Sequence, residues 1–243
     1  MQFWRAKNYL MGAGSPAGSD TDVSPMGIVQ GHAYSILDVA TIDDHKLVQL
    51  RNPWGDDTEW KGAWGDQSDM WNERRKKAVY ERMKQSTGKI EEIGKADGIF
   101  WMSFSDFYMN FDQISLCRFF DKEYTEVFVE SEWSKTNATA GGCSNNDTVG
   151  YNPQYKLTVN AKSSSEPVEV FIQLNLQGQS SQDNKFGIGF EMYSIEGKKV
   201  VDRRLPKAVF SNDGGYKVTN AVSYEGSIKD TGSEPLTALI TTF

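Results

Sequence analysis

His32 and Asn52 are the pair whose types and spacing suit covalent catalysis. A side-chain amide that accepts from one imidazole nitrogen fixes the tautomer and leaves the other nitrogen free to deprotonate a nucleophile. The chain between them reads as two strands around a polar turn. Apolar, β-prone runs at 33–42 and 46–51 flank Asp43-Asp44-His45, and an antiparallel hairpin of that form returns Asn52 to the neighbourhood of His32. Trp54, directly after Asn52 and Pro53, is placed for its ring to cover the contact and exclude water from it. A lone histidine at a strand start is ordinarily a satisfied polar residue, so the flanking segments decide the reading.

Gly31-His32-Ala33-Tyr34, followed by Arg51-Asn52-Pro53-Trp54-Gly55, resembles the His and Asn segments of calpains, papain-like cysteine endopeptidases. The segments Glu59 to Asp66, Trp71-Asn72 and Asp97 to Phe107 follow in the same family's order. Gly141 to Asn145 and Asn152 to Tyr155 look like the opening of its β-sandwich domain. The similarity spans nearly the whole chain.

The resemblance implies an α+β, mostly β fold. Residues 1–120 would be the C-terminal, His/Asn-bearing subdomain of a papain-like protease core, incomplete at its N-terminus. Residues 121–243 would be an antiparallel, C2-like β-sandwich, incomplete at its C-terminus. It also implies that His32 is the general base, that Asn52 orients it, and that Trp54 shields the pair and gates the cleft. The family's nucleophilic Cys and oxyanion-hole Gln lie in an upstream subdomain, so this chain alone is expected to be inactive. The alternative is a calpain-like protein that has lost catalysis and serves as a binding or scaffold module.

Calcium is the cofactor the resemblance implies. Positions matching Glu59, Asp66 and Asp97, with a backbone carbonyl near Lys95, would supply hard oxygen ligands. Ile99 stands where the family often carries another carboxylate, which weakens the expected site. A zinc site from His32, His45, Cys117 and Cys143 lacks short ligand spacing.

The remaining elements frame these residues. Met1 to Met11 suits a short strand or helix, and Gly12 to Pro25 has the composition of an exposed loop. Trp54, Trp60, Trp64 and Trp71 are four of seven tryptophans, and all but Trp54 read as core. Good helix formers with sparse apolar positions predict a solvated helix over Glu73–Ser86. A second helix is expected within Ser103–Asp112, then a strand over Ile114–Phe120. Beyond residue 121, strands are expected at Tyr155–Val159, Val168–Leu176, Gly187–Ser194, Lys198–Arg203 and Ala238–Thr242, with a polar loop over 177–184.

Composition sets the outer limits. In 243 residues there is room for two domains with cores of their own. A formal charge of −7, with 33 acidic against 26 basic residues, argues against a general nucleic-acid surface. The loops of the second half carry no dense acidic or basic cluster that would favour membrane contact. Two cysteines are too few for a disulfide framework, and no signal peptide or long apolar run is apparent, so a cytoplasmic setting is the expectation. Cys117, inside an apolar run, has the setting of a buried inert thiol, and Cys143 follows two glycines; neither suits the nucleophile. Protein substrates and the upstream Cys-bearing subdomain are the expected partners.

Overall fold

The computed structural model describes residues 1–160, 166–177, 185–212, 215–229, 231–232 and 234–242. The chain divides into two compact units, Met1–Glu126 and Val127–Phe243. It is α+β and mostly β, with antiparallel sheets in both units.

In the first unit α1 (Gln2–Ala6) leads into β1 (Leu10–Gly14), β2 (Ala33–Ile42) and β3 (His45–Arg51). Then come α2 (Glu73–Thr87), β4 (Ile99–Ser103), α3 (Phe104–Asn110) and β5 (Gln113–Cys117). The strands form one sheet in the order β4-β3-β2-β1-β5. The first eleven residues thus supply both a helix and the start of a strand, and β1 continues through Gly14, into the stretch expected as loop.

The β2–β3 hairpin forms because its turn chemistry and apolar pattern agree. Asp43 and Asp44 adopt φ of 47° and 66°, the left-handed angles a two-residue turn needs and that aspartate tolerates. Pairing runs from Ile42↔His45 to Ser35↔Arg51, with a register shift between Ile36 and Asp38. Alternate residues serve opposite faces. Ile36, Val48, Leu50, Phe100 and Met102 pack with Trp60 and with Phe107 of α3. Ala40, Leu47 and Trp101 pack with Trp64, Trp71 and the α2 residues Val79 and Met83.

Helix α2 starts where the Asn72 side chain accepts from the Arg75 backbone N–H and stops at Gly88, with φ 71°. Arg74 and Arg75 pair with Asp43 and so tie the helix to the hairpin turn. Asp38, 1% exposed, is held by Arg5 Nε at 3.3 Å and Arg82 Nη2 at 3.4 Å. Arg74, Arg75 and Arg82 of this helix are thus engaged in ion pairs with the β2–β3 hairpin. Cys117 is exposed, contrary to the expectation of burial, because β5 is an edge strand whose residues mostly face outward.

The second unit contains β6 (Gln154–Leu157), β7 (Val168–Asn175), β8 (Gly187–Tyr193), β9 (Phe210–Ser211), β10 (Lys217–Val218), β11 (Ala221–Ile228) and β12 (Leu236–Thr242). One sheet has the order β10-β8-β12-β6, with β9 also on β8; β7 and β11 form the other. Ile188, Phe190, Met192 and Ala238 of the first meet Ile172, Leu174, Val222 and Tyr224 of the second, closing a sandwich core.

Two expectations change here. Lys198–Arg203 is irregular rather than a strand: the buried Val200 N–H donates to the Gln154 side-chain oxygen at 2.7 Å, so an amide side chain replaces a ladder partner. Strand β11 was unsignalled because Glu225 and Gly226 interrupt its alternation, yet it pairs with β7 from Ala221↔Asn175 to Ile228↔Val168. Most of the expected polar loop, residues 178–184, lies outside the described residues. Among the described residues no helix is long and apolar enough to cross a membrane.

Candidate active site

His32 immediately precedes β2 and Asn52 immediately follows β3, so the hairpin delivers both to one end of the sheet. His32 Nε2 lies 3.0 Å from Asn52 Oδ1. The fully buried Asn52 is held on three sides. Its backbone N–H donates to the Gly98 carbonyl at 2.8 Å, its Nδ2 to the Thr58 carbonyl at 3.1 Å, and its Oδ1 accepts from the Trp54 N–H at 3.2 Å.

These contacts assign the proton. With Nδ2 committed to a carbonyl and Oδ1 already accepting from a backbone N–H, the amide presents its oxygen to His32. Nε2 therefore carries the hydrogen, and Nδ1 is left as the basic nitrogen.

Two aromatic rings fix the imidazole plane. Trp54 lies 4.9 Å from it, centroid to centroid, tilted at 51°. Tyr34 meets it edge-on at 5.1 Å and 89°. Trp54 remains 44% exposed, so its ring lies between the imidazole and solvent. Tyr34 is 3% exposed, and its hydroxyl accepts from the Val29 N–H at 2.9 Å. Burial raises the Tyr34 hydroxyl above the usual phenol range, which keeps it neutral.

Glu59, Asp66 and Asp97 come within electrostatic reach of one another. Burial pushes Glu59 up to about 7, opposed by the Gly98 and Asp97 N–H groups donating to it and reinforced by the charges of Asp66 and Asp97. Burial likewise pushes Asp66 up to about 6, opposed by the N–H of Gly94 and aided by Asp97. Asp97 Oδ1 accepts from the Ile99 N–H at 3.0 Å.

This donor set has the chemistry of a hard-cation site: one buried and two half-buried carboxylates on loops, repelling one another. It is short of a full shell of about six to eight oxygens, and Ile99 adds none. Among the described residues no group of three His, Cys, Asp or Glu side chains is gathered to hold a metal ion.

The raised acids carry a pH consequence. Folding favours their protonated forms, so their contribution to stability is full below the ordinary carboxyl range and is lost as pH rises through about 6 to 7. Without added cation, the denaturant midpoint followed by tryptophan fluorescence is expected to fall over that interval, and Glu59→Gln to flatten the fall. An unchanged slope in the variant would remove Glu59 as the cause.

Sequence reasoning alone did not single out Ser15, Thr58 or Gly98, which hold the pair through backbone and hydroxyl contacts. Such contacts leave no residue-type signature beyond the glycine.

A basic imidazole nitrogen, a buried amide fixing its tautomer and an indole beside the imidazole make an arrangement able to serve as a general base. Comparison with known proteins agrees in both units. Residues 1–118 match the calpain family cysteine protease profile and residues 129–227 match calpain large subunit, domain III. The maize calpain-type cysteine protease DEK1 is 41% identical over 208 residues, covering 80% of this chain and 9% of that protein. Calpain clp-4 of Caenorhabditis elegans is 32% identical over 223 residues, 77% of this chain and 30% of the relative. The rat calpain-1 catalytic subunit is 32% identical over 192 residues, 69% and 25% respectively. The matched part of the chain thus spans from 9% to 30% of the length of these relatives. With the site's geometry in one unit and the family's sequence pattern running through both, the chain belongs to the calpain family of cysteine proteases.

Proposed function

We propose that this chain supplies the base-bearing half of a cysteine-type endopeptidase that performs limited cleavage of proteins in the cytoplasm. Residues 1–120 act as the His/Asn subdomain, and residues 121–243 as an accessory C2-like domain. The observation that carries the reading is the 3.0 Å contact between His32 Nε2 and Asn52 Oδ1, which leaves Nδ1 as the base. A thiol from an upstream subdomain gives its proton to Nδ1, forming a thiolate–imidazolium pair. The thiolate adds to the scissile carbonyl, and the imidazolium then protonates the leaving amine. His32 next takes a proton from water as it attacks the acyl-enzyme, and the thiol is regenerated.

Glu59, Asp66 and Asp97 are the side chains that would hold calcium, which when bound supplies the charge that relieves their repulsion. Ile99 makes that binding weak. Added calcium is expected to raise the denaturation midpoint of this chain near neutral pH, and Ile99→Glu to shift the response to lower calcium concentration. No calcium response in either protein would reject the site.

The protease reading is tested on the full-length natural chain with a fluorogenic peptide. Cleavage that iodoacetamide abolishes supports it. A folded full-length protein without cleavage overturns it in favour of a binding or scaffold role.

A further inference from the structure

His32 lies one residue outside β2, where no regular ladder holds its backbone. The pairing of β1 with β2 ends at Gly14↔Ala33. One position further, Ser15 N–H donates to the His32 carbonyl at 3.0 Å, as a continuing antiparallel pair would. The reciprocal bond is different. His32 N–H donates to Ser15 Oγ at 2.9 Å, and that hydroxyl lies 3.1 Å from the His32 carbonyl oxygen.

The substitution has a local cause. Pro16 follows, and its carbonyl accepts from Gly31 N–H at 2.7 Å, so the chain has already turned toward the loop. Gly31 itself sits at φ 58°, with the position of a Cβ only 2.3 Å from the Gly18 carbonyl oxygen. His32 is thus fixed from the loop side by a glycine whose place no other residue fits, and from the strand side by the Ser15 N–H on its carbonyl and the Ser15 hydroxyl on its N–H.

We propose that Ser15 is a positioning residue for the reaction: its side chain completes the strand pairing at His32 and so aims the imidazole at Asn52 and at the incoming thiol. The proposal rests on the protease reading for its kinetic part only. Ser15 bonds to His32 at its backbone N–H and carbonyl and not at the ring, so it acts through the backbone. Without the hydroxyl, His32 N–H loses its acceptor, one of the two bonds that pair it with Ser15 is gone, and its backbone can shift about Ala33. Placement errors of this kind cost about ten- to a hundredfold in rate without removing a reacting group.

The test has two arms. In this chain, imidazole 1H–15N correlation spectra contain two histidines, His32 and His45, which His45→Gln assigns. The expected wild-type spectrum shows neutral His32 as the Nε2–H tautomer with a slowly exchanging proton. Ser15→Ala is expected to lose that protection and mix the tautomers, whereas Ser15→Thr, which keeps a hydroxyl, retains the wild-type pattern. In the full-length chain Ser15→Ala is expected to lower kcat about tenfold with KM nearly unchanged, and Ser15→Thr to restore it. A Ser15→Ala protein with the wild-type His32 signal overturns the proposal, as does one with wild-type kcat. If the full-length wild type does not cleave peptides at all, the protease reading fails by itself, and the spectra still decide whether Ser15 holds His32.

Discussion

His32→Ala in the full-length chain is expected to lower kcat/KM for peptide cleavage by about 10⁴-fold or more, and Asn52→Ala by about 10²-fold. The difference follows from what each side chain does. In the proposed mechanism, removing the imidazole removes the group that generates the thiolate and returns the proton to the leaving amine. Removing the amide leaves the base in place but releases its tautomer and ring orientation, which Trp54 and Tyr34 still restrain at 4.9 and 5.1 Å. A double variant is expected to be no worse than His32→Ala, because Asn52 acts only through the imidazole. If the two losses multiplied, Asn52 would have a role of its own toward substrate. Stability separates the variants further: His32 is only half-buried, while Asn52→Ala removes the partner of the part-buried Thr58 carbonyl and Trp54 N–H and empties a fully buried position, at about 1 kcal/mol or more. Activity therefore has to be compared under conditions where both variants are folded, which denaturant unfolding establishes.

Much of this centre was legible in the sequence because the hairpin that builds it is local. Two apolar runs and an Asp-Asp turn suffice to place Asn52 beside His32, and the structure adds the bulge between Ile36 and Asp38 that no residue type announced. The tryptophans were legible for a similar reason: Trp60, Trp64 and Trp71 have few places to go but the core, whereas Trp54 follows the Asn-Pro step and stays half in solvent. What escaped was non-local or made by backbone. Cys117 looked buried from its apolar neighbours, but exposure was decided by β5 taking an edge, a property of the whole sheet. Lys198–Arg203 had the residues of a strand, and the Gln154 side chain took the bond a ladder would have needed. The acids at 59, 66 and 97 were found by resemblance, while their mutual repulsion emerged only when the loops were brought together.

The second large effect is expected at Gly98, the residue that joins the His–Asn pair to the acidic loops. Its carbonyl accepts from Asn52 N–H at 2.8 Å and its N–H donates to Glu59 Oε1 at 2.7 Å. Its φ is 80°, and a Cβ there would sit 2.6 Å from the Asn52 carbonyl oxygen and 3.2 Å from Gly55 Cα. Gly98→Ala therefore meets two costs. The left-handed backbone disfavours any Cβ by about 1–2 kcal/mol. The clash with rigid backbone on both sides adds about 1–3 kcal/mol more, since no flexible side chain is there to yield. Gly88→Ala separates the two, because Gly88 shares the left-handed angle at φ 71° but has nothing within 4 Å of the added carbon. Denaturant unfolding is expected to show the Gly88 variant losing only the backbone part and the Gly98 variant losing at least twice as much. Relief of the clash has to move Asn52 or Gly55, so Gly98→Ala should also lower kcat/KM of the full-length chain by about a hundredfold where the protein is still folded, and Gly88→Ala should leave it unchanged. Equal destabilisation in the two variants, with activity intact in both, would mean that the Asn52 end of β3 has slack enough to absorb a methyl group, and the rigid seating of Asn52 would have to be abandoned.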